Sequence, residues 1–370
     1  VVSSNLASPT ICLGKIMYSK EHAFHKLVLP SQVIRDLVQR KQIFSNLNFE
    51  KDQIQPSSID LRLGSKAWRM RASFLPGMKR KVSSCISEFA MQEIDLSKSC
   101  ILEKGSVYLV KLQETLNLPE NIEGIANAKS STGRLDLFTR LISDYCDKFD
   151  RVTKGYSGPL YAEIAPNSFS VLVQQNIKLN QIRFKLTKKF DAKDISINTS
   201  ISNPKIFSIN LQNDKNSFIG YRAKSHTNLI DLRKINYYNI DDFWEKIESK
   251  NKKIILDPGA FYILSSREYV SVSPNYAAEM APYLPMIGEF RVHYAGFFDP
   301  GFGFSSDNTE KSRAVLEVRC HDTPFILEHG QKMGELIFEG MLEQPEVLYG
   351  KTIKSNYQGQ GLKLSKHFKN

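Results

Sequence analysis

Short runs in which apolar and polar residues alternate dominate this chain and predict a mainly β protein. In residues 59–63, three aliphatic side chains alternate with Asp60 and Arg62, which predicts a half-buried strand. Similar runs, separated by Gly, Pro, Asn and Asp, lie at 107–110 and 170–173. Few segments have a long helical period, so we expect strands to form most of the fold.

Two short helices are predicted beside these strands. Apolar residues recur at helical spacing over residues 33–38, and Ser31, which follows Pro30, is placed to cap the start of this helix. Residues 241–247 begin with Asp241 and Asp242, and the apolar residues that follow favour a second helix with an acidic first turn.

An internal repeat organises the chain. The segment 101–105 with Tyr108 recurs as 255–259 with Tyr262, an offset of 255 − 101 = 154 residues. The same offset relates 163–164 to 317–318 and 182–184 to 336–338. Residues 59–62 have an echo at 230–233, with extra residues between. Three matches in one order at one offset indicate a duplicated unit.

The two copies meet in a polar stretch over residues 188–205, rich in Lys, Asp, Asn and Ser, as linkers often are. We therefore predict an N-terminal extension over 1–26, a first domain over 27–196 and a second domain over 197–370. The first 16 residues lack the pattern of a signal peptide, and Met17 is our expected natural start.

The segment 129–134, Lys-Ser-Ser-Thr-Gly-Arg, has the chemistry of a polyphosphate site. Lys129 and Arg134 supply positive charge, while Ser130, Ser131 and backbone N–H groups supply short hydrogen-bond donors. A solvated turn is the plainer interpretation of such a cluster. The matching place in the second copy, 283–289, lacks the hydroxyl pair and the first cation.

The second copy has a turn of its own over residues 295–303, which presents Asp299 among glycines. In the first copy, Asp150 stands out of register with it. One copy thus keeps phosphate donors and the other keeps a carboxylate turn. We infer one composite site made from both copies; ordinary drift between two structural domains is the alternative.

Two carboxylates at the repeat offset are candidate bases. Glu317 lies in an apolar strand segment, where it either faces solvent or enters a pocket. In a pocket its pKa would rise, which would make it a better proton acceptor near neutral pH. Its twin, Glu163, lies in the copy without the Asp turn and is a secondary candidate. His293 is either a structural residue or part of the pocket.

Composition narrows the classes of function. The chain has 370 residues, 41% of them apolar, and a net charge of +11, which suits nucleic acid, a membrane surface or a phosphorylated small molecule. The five Cys are far apart, without Cys-x-x-Cys or His-x-Glu motifs, so we expect a reducing, cytoplasmic setting and no zinc. No apolar run is long enough to predict a transmembrane helix.

Five segments resemble the dCTP deaminase branch of the dUTPase-like fold: 55–64, 129–134, 295–303, the strand that carries Glu317, and 356–360. The resemblance covers nearly all of residues 27–362, as two fused copies. The resemblance implies two tandem distorted jelly-roll β-barrel domains with a few short helices. In single-domain relatives the site is shared between subunits of a trimer, so the resemblance also implies a homo-oligomer.

The resemblance implies a role for each matching residue. Ser130, Ser131 and Arg134 match the triphosphate motif, with Lys129 where Arg is common, and Glu317 matches the catalytic glutamate. Ser130 and Arg134 are also expected to assist the chemistry. The remaining substrate-binding residues implied are His293, Ala295, Asp299, Tyr349, Lys354 and Gln360. Lys354 is included because Asn356 stands where the family has Lys. As a second departure from the family pattern, the spacing from His293 to Asp299 is one residue short.

The implied reaction is hydrolysis of dCTP to dUTP and ammonia, which would supply dUTP for thymidylate synthesis. Magnesium is expected to arrive on the substrate triphosphate, with no metal held by the protein. The alternatives are a dUTPase or bifunctional deaminase–dUTPase, in which Asp299 activates water at the α-phosphate, and a non-catalytic nucleotide- or RNA-binding protein. Nucleic acid and membranes are not expected partners.

Overall fold

The computed structural model describes most of the two repeats. It covers residues 23–190, 205–212, 217–249, 251–282, 290–293, 296–304, 312–320, 322–350, 357, 359 and 361–369, with the side chains of 23–25, 188–190, 282 and 290–293 outside the description. The predicted boundary between domains, at residues 196 and 197, lies outside the described residues, so it stays a prediction.

Strands form most of the first half. Its strands are β1 Ala23–Val28, β2 Ile43–Phe44, β3 Ile59–Met70, β4 Ala90–Asp95, β5 Cys100–Leu102, β6 Val107–Asn117, β7 Ile122–Ala128, β8 Leu137–Ser143, β9 Arg151–Val152, β10 Ser157–Pro166, β11 Val171–Val173 and β12 Lys178–Phe190. Its helices are α1 Ser31–Gln39, α2 Val82–Phe89 and α3 Ser130–Gly133. The main sheet has the order β8-β10-β6-β3-β12-β7-β9.

The second half repeats this plan with shorter strands. They are β13 Lys205–Ser208, β14 Phe218–Ala223, β15 Ile230–Asp231, β16 Trp244–Glu248, β17 Lys253–Leu256, β18 Phe261–Val270, β19 Tyr276–Pro282, β20 Phe290–His293, β21 Phe297–Phe298, β22 Ser312–Cys320, β23 Phe325–Glu328 and β24 Lys332–Gly340, with one described helix, α4 Ile240–Phe243. The mainly β prediction is confirmed.

Strand register confirms the duplication at the offset of 154 residues. Glu163 on β10 pairs with Leu109 on β6, and Glu317 on β22 pairs with Ile263 on β18, which is 109 + 154. A hydrogen bond repeats as well. The hydroxyl of Tyr108 accepts from the backbone N–H of Glu103, and that of Tyr262 accepts from Asp257.

The echo of 59–62 at 230–233 is not part of this repeat. β15 is a two-residue strand that pairs with β11, whereas β3 is a central strand paired with β6 and β12. The counterpart of β3 is β14, which pairs with β18 as β3 pairs with β6. The similarity of residues 230–233 to β3 therefore has no structural basis.

The prediction that β3 is only half-buried is wrong at its start. Asp60 and Arg62 are each 2% exposed, so the polar positions of this strand are buried as well as the apolar ones. Arg62 donates to Glu114 at 2.8 Å, and Asp60 forms an ion pair with Lys129. Buried charges require such partners, which alternation alone does not reveal.

Both helix predictions need correction in detail. α1 forms as predicted, but the cap position is Pro30, without a side-chain cap, while Ser31 is the first helical residue and bonds Gln32. α4 ends at Phe243, and Trp244 begins β16. Trp244 packs on Phe169 of the first half at a centroid distance of 5.3 Å, so tertiary packing ends this helix early.

The hydrophobic core continues from one half into the other. Phe261, Val315 and Phe368 of the second half belong to the same buried cluster as the first-half core. Phe368 lies close to the Trp244 ring, with a centroid distance of 5.9 Å. The carboxyl-terminal segment thus packs back against the first half, close to α3.

Candidate active site

A cavity of about 390 Å³ lies where the two halves meet. First-half residues that line it include Asp52, Asp60, Lys129, Ser130, Ser131, Arg134, Lys178 and Gln181. Second-half residues that line it include Phe298, Asp299, Phe302, Glu317, Tyr349, Tyr357 and Lys366. A single chain therefore brings together the motif of one repeat and the carboxylates of the other.

The predicted phosphate motif forms one tight helical turn after β7. The carbonyl of Lys129 accepts from the N–H groups of Thr132 and Gly133, and this leaves Ser130 and Ser131 at the cavity wall. Asp60 holds the Lys129 ammonium in an ion pair. The motif is thus a fixed turn, and the interpretation as a solvated turn fails because Ser131 and Thr132 are buried.

Arg134 is held by the carboxyl-terminal segment. Its guanidinium donates to the carbonyl of Lys363 at 2.8 Å and lies 4.0 Å from the ring centroid of Tyr357. Ser365 donates to the carbonyl of Ser131 at 2.7 Å. These contacts fix the direction of Arg134, which is 3% exposed and lines the cavity.

Glu317 is a buried carboxylate at the cavity wall. It is 4% exposed, on β22 between β18 and β20. Burial raises its pKa to about 8, an effect opposed by the positive charge of Arg134 and reinforced by the negative charge of Asp136. Glu317 lines the cavity, so its carboxylate can meet a ligand or water there.

Asp299 follows β21 and is held from the first half. Its Oδ1 accepts from the Ser57 hydroxyl at 2.5 Å and lies 3.7 Å from an Nη of the fully buried Arg183. Burial raises the pKa of Asp299, while Arg183 opposes that rise. The turn needs glycine: Gly301 has φ of +96°, and a Cβ there would lie 3.0 Å from the carbonyl oxygen of Tyr349.

Register explains why Asp150 stood out of line with Asp299. Phe298 pairs with Ala278, and Val152 pairs with Gly124, whose number is 278 − 154. The residue after Val152 is Thr153, so Thr153 is the structural counterpart of Asp299. Asp150 instead accepts a hydrogen bond from the backbone N–H of Leu141 at 2.7 Å.

The other predicted site residues differ in what the structure shows of them. Tyr349 lines the cavity, and Glu163 does not. His293 lies on β20 as the cross-strand neighbour of Glu317, although its side chain is outside the described residues. Ala295, Lys354, Gln360 and the segment 283–289 also lie outside the described residues. The roles assigned to all these residues remain predictions.

Sequence reasoning missed several residues that build the site. Lys178 and Lys366 add positive charge to the cavity, and Ser57 and Arg183 hold Asp299. One signal was present: Arg183 lies in the repeat 182–184, where the second copy has Ile337. When one repeat has Arg where the other has an aliphatic residue, and the positions on either side match, that position has a different function in the two repeats.

Comparison with protein-family models matches nearly the whole described chain. The N-terminal domain model of 2′-deoxycytidine 5′-triphosphate deaminase matches residues 25–188, and the C-terminal domain model of the same family matches residues 179–368. This chain belongs to the dCTP deaminase family.

Solved and curated dCTP deaminases agree with this assignment. The crystal structure of 2′-deoxycytidine 5′-triphosphate deaminase from Agrobacterium tumefaciens is 47% identical, with a TM-score of 0.80, and the match covers 88% of this chain and 99% of that one. The fold is therefore the dUTPase-like fold of this family.

More distant dCTP deaminases match a smaller part of the chain. The "dCTP deaminase, dUMP-forming" of Dictyoglomus turgidum is 28% identical over 41% of this chain and 76% of its own length. The "dCTP deaminase" of Haloarcula marismortui is 24% identical over 42% of this chain and 77% of its own length. Each of these matches covers about two fifths of this chain, which is close to the length of one of its two repeats.

In the described ranges, no group of three or more His, Cys, Asp or Glu side chains is arranged to hold a metal ion. The described helices include none that is long and apolar enough to cross a membrane.

Proposed function

We propose that this chain hydrolyses dCTP to dUTP and ammonia, with Glu317 as the general base. The observation that carries the proposal is that the buried Glu317 lines the same cavity as Lys129, Ser130 and Arg134 of the other repeat. The ammonium, guanidinium and hydroxyl groups of this cavity suit a triphosphate, and Glu317 and Asp299 suit a base and sugar. Both sets of residues belong to one chain.

The chemistry follows from the position of Glu317. A water oxygen attacks C4 of cytosine while Glu317 takes one proton from that water and passes it to N3. Glu317 then takes the second proton from the new C4 hydroxyl and passes it to the amine, the C4–N4 bond breaks, ammonia leaves, and the C4 oxygen becomes the uracil carbonyl. A pKa of about 8 lets the carboxyl group both accept and return protons near neutral pH.

Binding of the nucleotide is assigned to the other cavity residues. Lys129, Lys178 and Lys366 offer ammonium groups to the triphosphate, and Arg134, whose charge acts on Glu317, lines the same cavity. Asp299, which lines the cavity, is assigned to accept a hydrogen bond from the deoxyribose. Magnesium would be held largely by phosphate oxygens, because the described residues offer no cluster of metal ligands.

The decisive experiment incubates the chain with each deoxynucleoside triphosphate and magnesium, measures ammonia, and identifies the product. We expect ammonia and dUTP from dCTP alone. Retention of full ammonia release by Glu317→Gln would contradict the role of Glu317. Absence of ammonia with every nucleotide would contradict the proposed activity itself.

A second candidate is a bifunctional enzyme that converts dCTP to dUMP and pyrophosphate. The name of the Dictyoglomus turgidum relative, a dUMP-forming enzyme, favours testing it. The same incubation separates the two, because dUMP with pyrophosphate supports the bifunctional enzyme and dUTP supports the deaminase alone. A homo-oligomer remains our expectation, to be measured by light scattering.

A further inference from the structure

A buried ion pair joins the two halves beside the cavity. Asp136 of the first half is fully buried and forms an ion pair with Arg319 of the second half. Asp136 follows Arg134 by two residues, and Arg319 follows Glu317 by two residues on β22. Because alternate residues of a strand share a face, Arg319 and Glu317 point to the same side of β22.

Further hydrogen bonds fix both members of this pair. The Asp136 carboxylate also accepts from the Ser168 hydroxyl at 2.6 Å, and its backbone carbonyl accepts from the N–H of Asn167 at 3.0 Å. Arg319 donates to the carbonyl of Gly259 at 2.5 Å. The pair is thus anchored to the backbone of each half.

The backbone at Asp136 has a φ of +54°, in a left-handed region that Asp adopts more readily than most non-glycine residues. This local turn accompanies the buried contact of its side chain with Arg319.

We propose that Asp136 and Arg319 are positioning residues, which hold Arg134 and Glu317 in register across the junction of the two repeats. The inference rests on the proposed deaminase function and adds two residues to it. Neither Asp136 nor Arg319 lines the cavity, so neither touches the substrate.

The pair also sets the charge that surrounds Glu317. Among the described side chains, the charged and titratable groups near Glu317 are Arg134 beside α3, Asp136 and Tyr357 of the carboxyl-terminal segment, with Arg319 along its own strand. In backbone register, the β20 residue that pairs with Glu317 is His293. On β18 the facing residue is the apolar Ile263. The charge of Asp136 raises the pKa of Glu317, whereas positive charge lowers it.

The test compares Asp136→Asn, Arg319→Gln and the double variant by the pH dependence of kcat with dCTP. In Asp136→Asn, the unpaired guanidinium should move the acidic limb of the profile to lower pH by about one unit. In Arg319→Gln, the unpaired carboxylate should move the limb to higher pH by a similar amount. The double variant removes both charges, so its limb should return close to the wild-type position.

A second measurement does not depend on turnover. The carboxyl carbon of Glu317 is followed by NMR in protein with ¹³C-labelled glutamate, and Glu317→Gln assigns its signal. The titration midpoint of Glu317 should move in the same directions as the kinetic limb. Glu114→Gln is the matched control, because it removes one partner of the buried Arg62–Glu114 pair, away from the cavity, and should leave the limb in place.

The outcomes separate the inference from the proposed function. If the wild type deaminates dCTP but both single variants keep the wild-type limb and midpoint, the inference is wrong and the function stands. The same holds if both single variants shift in one direction. If the wild type releases no ammonia, the function fails, while the NMR midpoints still report whether the pair controls Glu317.

Discussion

Glu163 and Glu317 occupy the same position in the two repeats, yet their surroundings differ. On the strand beside Glu163 the cross-strand neighbour is Arg140, which forms an ion pair with it. Beside Glu317 the cross-strand neighbour is His293, and the carboxylate lines the cavity. The first glutamate is therefore held in an ion pair, whereas the second lies at the wall of the cavity.

Aromatic rings complete the difference. The Arg140 guanidinium lies 3.5 Å from the ring centroid of Phe149 and 4.6 Å from that of Phe138. These cation–π contacts hold the guanidinium group beside Glu163. The first repeat has therefore turned its glutamate into part of a buried ion pair. The second repeat keeps a carboxyl group whose pKa is raised to about 8.

The largest expected effect on kcat is that of replacing Glu317. Glu317→Gln keeps the shape of the side chain but cannot accept a proton, so kcat for dCTP should fall by about 10²–10⁴-fold. The Kd for dCTP should stay near the wild-type value, as measured by calorimetry. A variant that keeps its kcat would remove the functional contrast between the two glutamates.

The pH dependence should show the same contrast. A general base must be ionised, and a raised pKa means that ionisation is lost as pH falls through about 8. Below that pH, kcat should drop about tenfold per pH unit. Steady-state rates from pH 6 to 10 at saturating dCTP check this, and a flat profile over that range would contradict it.

A smaller effect is expected from the groups that hold Asp299. Ser57→Ala removes the 2.5 Å hydrogen bond to Asp299, and the loss of about 1.5 kcal/mol corresponds to a roughly tenfold increase in KM for dCTP. Ser143→Ala, a buried serine of the first half that does not line the cavity, is the control. Equal KM values for both variants would show that Ser57 does not position Asp299.

The smallest effect on turnover is expected at Glu163. Glu163→Gln leaves Arg140 without its carboxylate and should lower the free energy of unfolding by about 3 kcal/mol. Because Glu163 does not line the cavity, kcat and KM of the folded variant should match the wild type. Urea unfolding and steady-state kinetics check both expectations, and a large loss of kcat would give Glu163 a part in catalysis.

Much of this fold could be predicted from local pattern. Strand periodicity identified β3 and β6, and the offset of 154 residues identified strand pairs whose register the structure repeats. The motif at 129–134 and the Asp299 turn were visible because their residue types are unusual at those places. The helix predicted over 241–247 forms with its acidic first turn but ends at Phe243, because Trp244 begins β16 and packs into the core shared with the other half.

The sequence by itself determined the duplication, the strand-rich fold and the two unlike motifs, since these depend on short-range spacing and on comparison of one copy with the other. Only the tertiary structure decided which charges meet. Arg183 with Asp299, Arg140 with Glu163, and Arg319 with Asp136 are separated by 116, 23 and 183 residues, respectively. Such pairs depend on strand order and register, which bring distant side chains together only when the whole sheet has formed.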